Sequence, residues 1–151
     1  MILIVYDSCT GNTQSMAKSI AQGARERGAE VMLKQVDDAT VDDLIKADAI
    51  ILGCPTYFGM MAAKMKKFVD QSNDIWGKLD KKMGAAFTSS GGISGGNETT
   101  LLSLIQAMLI HGMIVTSPLG RYGVVAIGKP DKKTLESCAK LGRRMVSLLR
   151  I

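Results

Sequence analysis

Residues 8 to 13 read Ser-Cys-Thr-Gly-Asn-Thr, which places three hydroxyls and an amide within six positions. An apolar run, Ile2 to Tyr6, precedes them, and an amphipathic segment opens at Asn12. The loop therefore joins a buried strand to a helix start. The hydroxyls of Ser8, Thr10 and Thr13, the Asn12 amide and the unpaired N–H groups of the helix end converge there, where the helix dipole favours an anion. Gly11 allows close backbone approach. One such residue would read as a helix cap; four in six positions read as a phosphate nest.

Spacing excludes other phosphate loops. A nucleoside-triphosphate loop needs Gly-Lys-Ser/Thr, and no lysine stands here; a dinucleotide fingerprint needs three glycines, and one is present. A cysteine phosphatase needs an arginine about six residues past its cysteine, a position held by Ser15. A receiver domain needs an aspartate ending strand three and a lysine ending strand five, where Cys54 and Thr116 stand. Cys9 reads either as a small filler or as a thiol activated by a helix N-terminus.

Two further loops carry suitable chemistry. Gly53-Cys54-Pro55-Thr56-Tyr57-Phe58-Gly59-Met60 brings two aromatics and a glycine to one strand end. A planar ring system held there needs apolar or aromatic walls and main-chain donors toward its polar edge. Taken singly, Tyr57 or Phe58 reads equally well as packing. Ser89-Ser90-Gly91-Gly92-Ile93-Ser94-Gly95-Gly96-Asn97 supplies donors and close backbone approach; alone it would pass for a flexible surface loop.

The elements that must position these loops alternate along the chain. Strands are expected over Ile2–Tyr6, Glu30–Val36, Ala49–Gly53, Met83–Thr88 and Met113–Thr116. Helices are expected over Asn12–Arg27, Thr40–Lys46, Met60–Gln71, Glu98–His111 and from Asp131 onward. Val41, Leu44 and Ile45 are expected to face inward, and Ser117 to Gly128 reads as irregular. Strict alternation implies an α/β fold in one domain, 1–151: a five-stranded parallel sheet, order 2-1-3-4-5, with helices on both faces. Ligands of such sheets sit beyond the carboxyl ends of the strands where the order reverses, beside the three loops above.

Composition sets bounds. A chain of 151 residues, 46% hydrophobic and 22% charged, reads as one soluble globule. No apolar run approaches the ~20 residues of a membrane span. The N-terminus lacks the basic region of a signal peptide. Cys9, Cys54 and Cys138 show no disulfide or zinc spacing, pointing to a reducing cytoplasm, and the lone His111 rules out a histidine-based metal cluster; no metal is expected. Residues 1–60 hold 5 basic and 8 acidic side chains, and residues 61–151 hold 14 and 6. Most of these lysines read as solvated helix faces. The excess also suits an anionic partner, but with no interleaved aromatics and no nucleic-acid motif it does not indicate nucleic acid.

The first loop resembles the flavodoxin phosphate loop, Thr/Ser-x-Thr-Gly-Asn-Thr. The other two resemble the WrbA-type branch of flavodoxin-like proteins, the FMN-dependent NAD(P)H:quinone oxidoreductases. Pro55-Thr56-Tyr57-Phe58-Gly59-Met60-Met61, then Phe68-Val69-Asp70-Gln71, Trp76, Ser89 to Glu98 and His111-Gly112-Met113 carry that likeness over nearly the whole chain. The resemblance implies a flavodoxin-like three-layer sandwich. It implies FMN contacts at Ser8, Cys9, Thr10, Gly11, Asn12 and Thr13; at Pro55, Thr56, Tyr57, Phe58 and Gly59; and at Ser89, Ser90, Gly91, Gly92, Ile93, Ser94 and Gly95. It also implies a contact from His111, with Trp76 on the substrate side of the ring. From the residues alone, His111 reads instead as a dipole partner at a helix end. The chain is shorter than that branch, lacking an insertion before strand three and most of one within strand five. Tyr57 replaces an arginine that helps shape the family's tetramer and pocket.

Two functions follow. One is an enzyme passing electrons from NAD(P)H to quinone-type acceptors; the other is a carrier of single electrons between redox proteins. Flavodoxin carriers are acidic whereas this chain is basic, which favours the enzyme unless the partners are acidic. A carrier also gains from a peptide free to turn beside the ring, with Gly59 the nearest candidate. Apolar Met60, Phe58 and Trp76 near the flavin edge would be wasted on a monomer's surface, which implies a homodimer or homotetramer with the flavin near an interface.

Overall fold

A computed structural model describes residues 1–150. Strand β1, Ile2–Tyr6, explains the layering. Its apolar run is buried on both sides: Ile2, Ile4 and Tyr6 join one core, and Leu3 and Val5 the other. The first core is closed by α1 (Asn12–Glu26) and α5 (Lys132–Leu149). Those helices press together at glycines: a Cβ on Gly23 would stand 2.0 Å from the Ala139 carbonyl oxygen, and one on Gly142 2.1 Å from that of Ile20. On the other side lie α2 (Val41–Lys46), α3 (Ala63–Gln71) and α4 (Asn97–Ile110). Thr40 and Asp43 form the capping box that starts α2. Asp131 caps α5 by accepting from the Thr134 N–H at 2.7 Å.

The remaining strands are β2 (Val31–Gln35), β3 (Ala49–Tyr57), β4 (Met60–Met61), β5 (Met83–Ser90), β6 (Ile114–Val115) and β7 (Val124–Ile127). The sheet runs β2-β1-β3-β5, with β6 and β7 sharing the place beyond β5. The path follows the expected 2-1-3-4-5 order at its core, but the sheet has seven strands where five were expected: β4 is added, antiparallel, to β3, and β6 and β7 divide the last place.

Four details differ from the sequence reading. Strand β3 does not stop at Cys54-Pro55 but continues to Tyr57. Strand β1 leaves the sheet after Tyr6 pairs with Gly53, so Pro55 has no neighbour on that side to miss its N–H. The chain then turns through Phe58 (φ 50°) and Gly59 (φ 73°) into β4, a two-residue hairpin that delays α3 to Ala63. The stretch expected to be irregular contains β7, which pairs with Phe87 to Ser90. Ile45 is 39% exposed because only Leu44 of the short α2 points fully inward.

Candidate functional site

The carboxyl ends of β1, β3, β5 and β7 open on a cleft of about 260 Å³. Its walls include Ser8, Cys9, Thr10, Asn12 and Thr13 from the first loop, Pro55, Thr56 and Tyr57 from β3, and Ser89, Ser90 and Gly91 from β5. Gly128, beyond β7, completes the rim.

Helix α1 begins with no side-chain cap. Gly11 is its N-cap, at φ 92°. The Ser8 hydroxyl accepts from the Gly11 and Gln14 N–H groups, each at 3.2 Å, and folds the loop around the helix end. Among the described residues the N–H groups of Asn12 and Thr13 have no acceptor. The 1%-exposed Thr13 pairs its hydroxyl with that of Ser89 at 2.8 Å, tying the first loop to β5.

Among the described residues, none lining the cleft carries a charged side chain. Asp7, buried just beneath, is raised above the usual carboxylate range by desolvation, partly opposed by the nearby Lys64. Lys64 is itself paired with Asp37 at 2.5 Å on the surface. Tyr57 has its phenol raised by partial burial and by the adjoining Cys9 and Asp7, so it stays neutral at neutral pH. Burial pushes the Cys54 thiol up to about 12, which makes it inert packing.

Beneath the cleft runs a polar network that sequence reasoning missed. Thr88 donates to the Cys54 carbonyl at 2.7 Å and pairs with Thr56 at 2.8 Å. Thr56 also reaches the Asn97 amide oxygen at 3.3 Å, while the Asn97 NH₂ donates to Ser90 at 2.9 Å. Asn97 is 4% exposed at the first turn of α4, so one buried side chain ties β3 to β5. Its place directly after a Gly-Gly pair was the available signal. Gly128 gave none, since β7 was not recognised.

The hairpin tip rests on the start of α4. The Thr99 hydroxyl lies 2.8 Å from both the Gly59 and the Gly96 carbonyl oxygens and shares its proton between them. Phe58 stands 99% exposed at that tip, in a left-handed conformation that bulky residues avoid, a kind of strain that gathers at functional sites. Ile93 and Ser94 face an adjoining cleft, and Gly92 accepts from Ser90 at 2.9 Å.

Within the single chain Trp76 and His111 do not line this cleft but a separate groove. The Gly112 carbonyl accepts from Lys81 N–H, and Ile114 pairs with Met83, so His111 stands beside the start of β5. Six residues separate that level from Ser89, about 20 Å at the strand rise of ~3.3 Å per residue. The Trp76 and His111 rings lie 5.6 Å apart in a groove between α3 and α4. Ser72 gives its proton to the Val69 carbonyl at 2.5 Å, so His111 Nε2 donates to Ser72 Oγ at 2.7 Å. Among the described residues Nδ1 has no partner, and burial lowers the His111 pKa.

Comparison with known proteins agrees with this geometry. The flavodoxin domain model matches residues 3–108. A flavodoxin of Aquifex aeolicus is 41% identical, over 99% of this chain and 87% of that protein. A protein of Archaeoglobus fulgidus named NAD(P)H dehydrogenase (quinone) is 35% identical over 97% and 96%. The crystal structure of a WrbA-like flavodoxin from Agrobacterium tumefaciens superposes with TM-score 0.87 at 31% identity, covering 99% and 96%. No helix among the described residues is long and apolar enough to cross a membrane. With a neutral, donor-rich cradle at the sheet's switch point and this kinship, the chain belongs to the flavodoxin family and its cofactor is FMN.

Proposed function

We propose that this chain, as a single domain over 1–151, is an FMN-dependent oxidoreductase passing electrons from NAD(P)H to quinone-type acceptors. FMN supplies the electron chemistry when bound; the protein binds, orients and excludes water. In this reading Ser8, Thr10, Asn12, Thr13 and the first N–H groups of α1 hold the phosphate, with Cys9 and Gly11 shaping the loop. Pro55 to Gly59 and Ser89 to Gly95 flank the ring. Tyr57, 46% exposed and neutral, forms one wall without closing the cleft to a second ligand.

The observation that carries the reading is the Thr99 hydroxyl at 2.8 Å from the Gly59 carbonyl, its one proton shared with the Gly96 carbonyl at the same distance. This contact reaches toward α4 from the Gly59 peptide, the nearest candidate for the peptide that a single-electron carrier would turn toward the ring. The basic charge of residues 61–151 and the relatives named NAD(P)H dehydrogenase (quinone) support the same choice.

The reading includes a homodimer or homotetramer, because Phe58, Met60 and Trp76 are exposed at 99%, 64% and 61%. Light scattering above the 16.2 kDa monomer mass tests it. It also includes the reducing cytoplasm, as all three cysteines are free thiols. Steady-state oxidation of NADH and NADPH by FMN-loaded protein, with and without a benzoquinone, tests the activity. Turnover that rises with quinone is expected, and no oxidation of either nucleotide would leave the carrier.

A further inference from the structure

A second cleft, about 770 Å³, lies behind the Ile93–Ser94 turn. It exists because the sheet's last position is interrupted: the chain leaves after β6, loops out, and returns as β7. Gly123 seats the returning loop, since a Cβ there would stand 2.3 Å from the Ala86 carbonyl oxygen. Arg121 and Tyr122 are thereby carried to the rim opposite Glu98 of α4, above a floor that includes Leu101 and Val125.

The cleft shares its partition with the FMN site. Ser90 lines the FMN site, accepts from Asn97 at 2.9 Å and offers its carbonyl to Gly128 N–H at 2.7 Å. Asn97 and Ile127 line the second cleft, so the two sites lie on opposite sides of one wall. Charge marks the place as well. Arg121 also lines a smaller cleft under the same loop, about 290 Å³, beside Lys140 and Arg144. Among the described residues none of these three cations forms an ion pair, whereas Arg143 is held by Glu26 and Glu136. Among the described residues Glu98 is the one acid lining either cleft.

We infer that this cleft seats the adenosine 2′-phosphate end of NADPH: Tyr122 offers a face to the adenine, Glu98 accepts from a ribose hydroxyl, and Arg121 pairs with the 2′-phosphate. The inference rests on the reductase reading and gives it a donor preference. The shared Ser90–Asn97 wall places this cleft next to the FMN site, where the two ends of one dinucleotide could be held together.

The test is calorimetric titration of FMN-loaded protein with 2′,5′-ADP and, separately, with 5′-AMP. Saturable binding of 2′,5′-ADP is expected, about tenfold or more tighter than 5′-AMP, with loss of one charge-assisted bond in Arg121→Ala weakening it by about tenfold to a hundredfold. Tyr122→Ala should also weaken it. Retained FMN spectra and FMN affinity in both variants would show that they fold. The KM for NADPH should rise in parallel. Equal binding of the two nucleotides, or binding that neither variant moves, overturns the assignment. NADPH oxidation with a KM indifferent to both variants removes the assignment and leaves the reductase reading intact. Absence of any nucleotide oxidation in the wild type removes the reductase reading itself.

Discussion

Gly96 lies against Gly59 so closely that a Cβ on Gly96 would stand 2.3 Å from the Gly59 Cα. This contact joins the hairpin tip after β3 to the start of α4, the two segments that flank the proposed ring site. Gly96 also has φ 94°, a conformation that side chains resist. Gly96→Ala should therefore push the hairpin outward and cost about 1–3 kcal/mol of stability, the usual cost of overpacking. Urea unfolding measures that loss, and FMN affinity should fall with it. Unchanged values for both would mean that the hairpin is not clamped by this contact.

Asn97 is the side chain on which both flanking segments depend. In Asn97→Ala the Ser90 hydroxyl loses its donor and Thr56 loses a partner in the buried network. A buried group left unsatisfied costs about 1–3 kcal/mol. Asn97→Asp keeps the shape but places a carboxylate against Ser90 and should weaken FMN further, by charge. Fluorescence-quenching titrations of both variants check that ranking.

The buried Asp7 gives a pH dependence with a definite sign. Its pKa is raised in the folded protein, chiefly by desolvation, so its contribution to stability is fully present below the unfolded carboxylate value and is lost as pH rises through the folded value. Asp7→Asn should remove this loss. The variant should be more stable than wild type at pH 7, with the difference shrinking toward pH 4, and should bind the anionic FMN phosphate more tightly at neutral pH. Thermal melts across that range follow the first effect.

Much of the site was legible because it lies on residues whose type and order are local. Ser8 to Thr13 needs only a strand before it and a helix after it, both marked by apolar periodicity. The hairpin at Phe58-Gly59 was not legible, because its turn places a phenylalanine where asparagine or glycine is usual. Pro55 also signalled a strand end, and only the departure of β1 made it tolerable. Strand β7 was hidden by its four-residue length and by glycines on both sides. The level of His111 in the fold follows from the pairing of Met83 with Ile114 at the start of β5, which sequence spacing does not display.

The phosphate cradle at Ser8 to Thr13 is the central claim, and a comparison of FMN with riboflavin binding to the apoprotein tests it most directly. The two ligands share the ring and differ in the phosphate alone. Fluorescence-quenching titration should show riboflavin weaker by tenfold or more, and Thr10→Ala or Asn12→Ala should weaken FMN by about 1.5–3 kcal/mol while leaving riboflavin nearly unchanged. Riboflavin binding as tightly as FMN, with neither variant separating them, would contradict the account.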